Sequence, residues 1–519
     1  MLLMIVSEER ACVQCSNLAR LIAGPDGKPI SKTCLFVLKT HSKSLPFRAN
    51  LQYQELAFSC IKKYNDYNSE SLMILKRKIY QNLLNWKKES AGSSALLIDG
   101  ARRVGKSFVC EQFGKNEYKS MILIDFGNTA KEVREIFEND SADLNVFFAK
   151  LSMYYRTQLY KRKSLFVFDE IQQFPKARQL LKYLVADGRY DYIETGSLLS
   201  MKQNVQDIVI PSEEEHIEMF PLDFEEFLWA LGDKTTAPYI RLCFDGRKPL
   251  GQALHRRVMN DFRQYMLIGG MPQVVVEYMK EKDFAAADKI KRRILTLYRN
   301  DISKYAGGYK TKVTAIFDAL PGQLSKKEKK YRLSSISKTA RQRGYEDAFM
   351  WLDDAMIVNP CFNATDPNIG LALSKDHTTQ KIYLADTGLL VTQVFGDKKF
   401  SENELYRAIL LGKLNVNEGM LTENVAAQML RCNGHHLFFY SRVDTNCRKN
   451  MIEIDFLISN KKKICPVEVK SGSYIKHSSL DKFRTKFSKA LGDVYVLYTK
   501  DVMIKDGVLY LPLYMAMFL

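Results

Sequence analysis

The chain has 519 residues and a net charge of +18, with 46% hydrophobic and 26% charged residues. That is ordinary globular composition, long enough for about three to four domains, and it excludes a disordered or collagen-like chain. The basic balance raises an acidic partner such as nucleic acid, with a lysine-rich solvated surface as the plain alternative.

No apolar run approaches the roughly 18 residues that span a bilayer. Met1–Val6 is apolar but is followed by Glu8 and Glu9, without the basic start and longer apolar core of a signal peptide. A cytoplasmic protein with no membrane partner is expected. Ten cysteines stand singly, several among apolar neighbours (Cys110, Cys243, Cys432, Cys465), which reads as reduced, buried thiols. Cys12 and Cys15 form the single C-x-x-C. Cys34, Cys60 and His41 complete a zinc set only at irregular spacing, so zinc is not expected.

Residues 1–72 carry no usable periodicity, and turn residues cluster at Gly24–Pro29. Legible architecture starts near Met73, with a helical pattern at Leu75, Ile79, Leu83, Leu84 and Trp86. This makes Met73 a candidate translation start and residues 1–72 an unassigned extension or a gene-model artefact.

Residues 73–232 alternate strand and helix, as an α/β fold with a parallel sheet does. Strands are expected at Ala95–Asp99, Met121–Phe126, Leu165–Asp169, Tyr192–Thr195 and Ile217–Phe220, with helices such as Phe147–Gln158 and Ala177–Ala186 between them. After the first strand, residues 100–107 read Gly-Ala-Arg-Arg-Val-Gly-Lys-Ser, which matches the phosphate-binding loop G-x-x-x-x-G-K-[ST]. Two glycines let backbone N–H groups close around phosphate oxygens while the next helix offers its positive end. Gly100, Val104, Gly105, Lys106, Ser107 and Phe108 are the expected nucleotide contacts. Lys106 bridges the outer phosphates and the Ser107 hydroxyl holds Mg²⁺ of a bound ATP.

Leu165–Phe168 is a fully apolar run ending in Asp169 and Glu170, the signature of a buried parallel strand delivering acids at its C-terminal edge. Asp169 is expected to hold Mg²⁺ through water, and Glu170 to polarise the water that attacks the γ-phosphate. At the end of the fourth strand, Thr195 or Ser197 is placed as a γ-phosphate sensor, with a plain turn hydroxyl as the alternative.

Residues 233–304 read as mostly helical, broken at Gly269-Gly270-Met271-Pro272. Residues 305–399 mix short helices with two strands, Ile357–Phe362 and Lys381–Leu384, an order that suggests a small winged-helix module or a packing domain. The helix at 345–356 carries Glu346, Asp347, Asp353 and Asp354, which oppose entry into a DNA groove. Basic residues sit instead at Lys326, Lys327, Lys329 and Lys330 and at Lys338, Arg341 and Arg343.

Residues 400–519 hold a second constellation. Ile452–Ile458 alternates as a strand, and Ile464–Lys470 follows after a turn at Asn460–Lys463. Glu468 and Lys470, two apart, share a face, and Asp455 lies opposite them. Two acids and a lysine make a nuclease-type set in which carboxylates hold Mg²⁺ and the lysine activates water, with Glu423 on the helix Thr422–Leu430 as a third ligand. A half-buried hairpin with an internal ion pair is the structural alternative.

From Met73 to the C-terminus the chain resembles a family of prokaryotic AAA-type P-loop ATPases with a C-terminal domain of unknown function similar to PD-(D/E)XK endonucleases. The blocks that carry the likeness are Gly100–Ser107, Asp169–Gln172, Thr195–Ser197, Pro221–Phe227, Gly269–Pro272, Lys381–Gly388, Glu423-Asn424, Asp455-Phe456 and Glu468–Lys470. The resemblance implies an AAA core, a helical lid, a winged-helix-like domain and a restriction-endonuclease-like α/β end. It supplies no substrate. Asp455 follows Ile454 where the nuclease motif has a proline. Two functions stand open, an ATP-driven enzyme acting on nucleic acid and a nucleotide-dependent switch for a protein partner with a silent endonuclease-like scaffold. An oligomer is compatible with either. Arg292, Arg293 and Arg299 are arginine-finger candidates by location.

Overall fold

The computed structural model describes residues 75–197, 213–326, 330–336, 341–368, 370–395, 418–442, 451–472 and 477–519, all within one compact unit, Leu75–Leu519. The expectations for residues 1–72, Lys327, Lys329 and Lys338 fall outside them.

The first layered body is built from helix α1 (Ile79–Ser90), β1 (Ala95–Asp99), α2 (Lys106–Glu117), β2 (Ser120–Asp125), α3 (Lys131–Asn139), α4 (Leu144–Tyr154), β3 (Ser164–Asp169), α5 (Pro175–Asp187), β4 (Asp191–Gly196) and β5 (Glu214–Glu218). Among the described residues the five strands form one sheet in the order β2-β3-β4-β1-β5, and every pair is parallel. Strands buried on both faces need apolar residues at successive positions. In β3, Leu165 and Val167 enter one core while Phe166 and Phe168 enter the other, the period of 2 sending neighbours to opposite faces. The second of these cores is aromatic, with Phe126, Phe137, Phe147 and Phe174 packed edge-on or stacked, each buried ring contributing on the order of 1.5–3 kcal/mol.

The fifth strand differs from expectation. It runs over Glu214–Glu218, not Ile217–Phe220, and pairs Ala95 with Glu214 through to Asp99 with Glu218. An edge strand carries charge where an inner strand carries apolar side chains, so the sequence Glu-Glu-His-Ile-Glu shows no apolar run.

Helices α6 (Phe224–Ala230), α7 (Thr236–Asp245), α8 (Gln252–Ile268), α9 (Pro272–Glu281), α10 (Phe284–Tyr305) and α11 (Lys310–Leu324) follow. Asp223 caps α6 by accepting from the Glu226 N–H, and Glu226 returns the bond to the Asp223 N–H. Then come α12 (Glu346–Asp354), β6 (Val358–Ala364), β7 (Lys375–Leu384), α13 (Thr387–Phe395), α14 (Glu418–Cys432), β8 (Leu437–Arg442), β9 (Ile452–Asn460), β10 (Lys463–Val469), α15 (Ser478–Phe487), β11 (Tyr495–Tyr498), β12 (Met503–Lys505) and β13 (Val508–Pro512).

The strand pair read as part of a winged-helix module is antiparallel, but β6 also pairs in parallel with β8. Both strands therefore belong to a second sheet of eight described strands, β12-β13-β11-β10-β9-β8-β6-β7. The boundary expected at 399/400 cuts across that sheet, because pairing partners distant in sequence leave no local signal. Three sequence blocks lock these pieces together. Asp386 accepts from the N–H groups of Gly270 and Leu389, Leu222 donates its N–H to the Gly270 carbonyl at 2.7 Å, and a Cβ on Gly270 would stand 2.1 Å from the Leu222 oxygen. Only glycine allows that approach. Asn424 on α14 brackets the end of β7, accepting from Leu384 N–H at 2.8 Å and donating to its carbonyl. No helix among the described residues is long and apolar enough to cross a membrane.

Candidate functional site

Two clusters answer the two sequence constellations. The first lies at the C-terminal edge of the parallel sheet, where β1, β3 and β4 are adjacent. The loop after β1 turns over Gly100, whose added Cβ would meet the Met219 carbonyl at 2.4 Å, and enters α2 through Gly105. Val104 is fully buried under the loop, and Phe108 and Ser107 are half-buried on the first turn of α2.

Lys106 is buried, and its Nζ donates to the Gly100 and Ala101 carbonyls at 2.6 and 3.2 Å. Burial lowers its pKa, while Glu170, Asp99 and Asp169 oppose that by favouring the ammonium. The loop's own carbonyls thus hold the cation that a triphosphate would claim. Asp169 ends β3 and accepts a hydrogen bond from the Thr195 hydroxyl on β4. Glu170 follows in a left-handed conformation, φ 53°, and accepts from Gln172 Nε2. Burial raises the Glu170 pKa, with Asp169 adding to the rise and Lys106 opposing it. Ser197 is buried at the end of β4.

Lys106, Asp169, Glu170 and Thr195 are therefore brought together, with Ser107 one residue beyond Lys106 on α2. The oxygen donors fit Mg²⁺ of a nucleotide: one hydroxyl, Ser107, and one carboxylate, Asp169, already oriented by Thr195, with the Lys106 ammonium placed for the phosphates.

Several groups here gave no sequence signal. Arg77 donates to the Val104 carbonyl at 2.8 Å and to Phe220 at 2.6 Å, and pairs with Glu226 at 3.2 Å, tying the loop to the strap before α6. The Arg102 guanidinium pairs with Asp301 on α10, Tyr298 donates its hydroxyl to the Arg102 carbonyl at 3.1 Å, and Gln173 reaches the Tyr305 hydroxyl at 3.2 Å. One helix thus touches both the phosphate loop and the turn after Glu170. Of the arginine-finger candidates, Arg292 pairs with Asp288 at 2.7 Å and Arg299 with Asp318 at 3.0 Å, while Arg293 is exposed on the same helix.

The second cluster lies where β7, β9, β10 and α14 meet. Asp455 accepts from the Val469 N–H at 2.9 Å, and Glu468 accepts from Lys470 Nζ at 2.6 Å. Tyr383 donates its hydroxyl to Glu423 at 3.2 Å. All four sequence-predicted residues come to one place. A fifth, unforeseen, sits among them: Lys381 of β7, 1% exposed, with Nζ 3.2 Å from Glu453 and 3.5 Å from Asp455. Burial alone would lower the Lys381 pKa, yet Asp455, Glu423 and Glu453 hold it well above the ordinary lysine range. Burial pushes Glu468 up to about 8, and neighbouring Asp455 adds to the rise. Burial likewise works against the Lys470 ammonium, but Glu468 and Asp455 keep its pKa raised.

The metal expected on Glu423, Asp455 and Glu468 does not fit this arrangement. Lys381 pairs with Asp455 and Glu453, Lys470 with Glu468, and Tyr383 bonds Glu423, so two ammonium groups already stand among the carboxylates. Spacing along β9 and β10 could not reveal Lys381, which arrives from a strand more than seventy residues upstream.

The AAA domain family model matches residues 92–228, and two models described as domains of unknown function match residues 259–399 (DUF8612) and 418–515 (DUF4143). No curated protein matches the sequence. Among solved structures, a Walker-type ATPase of Pyrococcus abyssi is 16% identical at a TM-score of 0.37, covering 62% of this chain and 96% of its own. The ORC1 protein of Aeropyrum pernix, solved in complex with DNA, is 13% identical at 0.27, over 63% of this chain and 94% of its own. Cdc6p from Pyrobaculum aerophilum is 10% identical at 0.25, over 66% and 98%. These likenesses are loose. Residues 92–228 are an AAA-type P-loop domain on the strength of the family match and of the loop and strands described above.

Proposed function

We propose that the chain is a Mg²⁺-dependent ATPase working as a nucleotide-dependent switch. The observation that carries the reading is the convergence of Lys106, Asp169, Glu170 and Thr195 at the edge of one parallel sheet beside a phosphate loop. Bound Mg²⁺ would supply charge neutralisation at the outer phosphates. Ser107 and Asp169 would hold that ion, Thr195 keeps the Asp169 carboxylate oriented, and Lys106 would leave the loop carbonyls for the phosphates. Glu170, its pKa raised by burial, takes a proton from the attacking water.

The switch reading is supported by α10. Its C-terminal half contacts the loop and the turn after Glu170, while Asp288 near its start accepts from the Thr392 hydroxyl on α13 at 2.7 Å. A shift of Arg102 or Tyr305 on nucleotide binding would thus be passed along α10 to α13, the helix that follows β7. A nucleic-acid partner is favoured by one further observation, the net charge of +18. ATP hydrolysis with and without DNA, with the DNA then run on a gel, tests both. Hydrolysis indifferent to DNA supports a switch for a protein partner, stimulation supports the nucleic-acid partner, and absence of any hydrolysis sinks the ATPase reading.

A further inference from the structure

The C-terminal cluster contains every residue type of a metal-dependent nuclease, and each acid has an internal partner on at least one oxygen, with the buried Glu468 Oε2 left without one. Asp455 uses one oxygen on the Val469 N–H and the other on Lys381, and Glu453 faces the same ammonium. Glu468 is held by Lys470 and Glu423 by Tyr383. Lys381 is 1% exposed, its Nζ lying 5.1 Å from the centre of the Phe439 ring. Its strand, β7, is fixed at the next residues by Asn424 and by seven paired positions along β6.

We propose that Lys381 is the built-in cation of this cluster and that the C-terminal site takes no divalent metal, its ammonium holding the charge position that the endonuclease resemblance reserves for Mg²⁺. A divalent ion among the oxygens of Glu423, Asp455 and Glu468 would lie beside a buried positive charge and would compete with it for Asp455. The site is then an ionic seam that joins β7 to the hairpin β9–β10, and the chain cuts no phosphodiester there. This concerns the C-terminal cluster alone and stands whether or not the core hydrolyses ATP.

The test uses the full-length, nucleotide-free protein with Mn²⁺ as probe, read by electron paramagnetic resonance and by thermal shift. The wild type is expected to show no Mn²⁺ site that Asp455→Asn removes. Lys381→Met frees the acids and is expected to gain such a site, at least about tenfold tighter than any the wild type shows, with a Mn²⁺-dependent rise in melting temperature. Adding Asp455→Asn to Lys381→Met abolishes both, and Lys381→Arg, which keeps the charge, behaves as the wild type. A wild-type Mn²⁺ signal lost in Asp455→Asn overturns the proposal, and so does a folded Lys381→Met protein that gains no site. If Lys381→Met does not fold, the wild type against Asp455→Asn decides alone.

Discussion

The two clusters invite comparison because each sets acids beside a buried lysine, yet they hold that lysine differently. Lys106 rests on the neutral carbonyls of Gly100 and Ala101, which another anion can outbid. Lys381 rests on the carboxylates of Glu453 and Asp455, which nothing in water replaces at low cost. Burial lowers the pKa of the first and fails to lower that of the second. On the readings proposed above, the lysine on neutral partners is the one a ligand would take, and the lysine on full charges is structural.

That contrast predicts unequal responses to mutation. The largest effect belongs to Glu170→Gln, which should retain ATP binding and lose on the order of 10²–10⁴-fold in turnover, measured as kcat under saturating ATP; an active variant would show that another group orients the water. Lys106→Ala should weaken ATP binding on the order of 100-fold, by calorimetry, without loss of fold. Asp455→Asn should do the reverse. It should leave ATP hydrolysis near wild type and cost on the order of 3 kcal/mol in denaturant unfolding, because Lys381 loses one of its two carboxylates inside the protein. A fall in hydrolysis with stability unchanged would break the comparison.

A smaller effect is expected from pH. Glu468 ionises near 4.5 when unfolded and near 8 when folded, so its contribution to stability is fully present below about pH 4.5 and is lost as pH rises through about 8. Glu468→Gln should flatten that part of the stability profile, followed as melting temperature from pH 5 to 8.5. The smallest is Asp301→Asn. It releases Arg102, whose side chain is 40% exposed, and a pair that open to solvent is worth roughly 0.2–1 kcal/mol. The expected change in ATP affinity is at most about fivefold.

Much of the nucleotide site was legible because its motif is local. Gly100–Ser107 lies on one turn, and Leu165–Glu170 is one strand with its acids at the tip, so spacing along the chain stands in for position in space. Arg77, Arg102 and Asp301 were not legible, since each acts by reaching an element far away in sequence. The C-terminal acids and Lys470 were found for the same local reason, and Lys381 was missed for the same distant one. It stood in plain sight in the block Lys381–Gly388, whose Asp386 and Gly388 gave no hint that they pack against Ile268–Gly270.

The sequence by itself determined the phosphate loop, the parallel core strands and the set of residue types at both clusters, because loop chemistry and strand burial are written in periods of a few residues. Tertiary structure decided the rest. It put β5 at a charged edge, paired Cys361 of β6 with Leu437 of β8 far along the chain, and delivered Lys381 among the carboxylates. Hydrogen bonds between strands and ion pairs between distant side chains depend on which surfaces meet, and no local period records that.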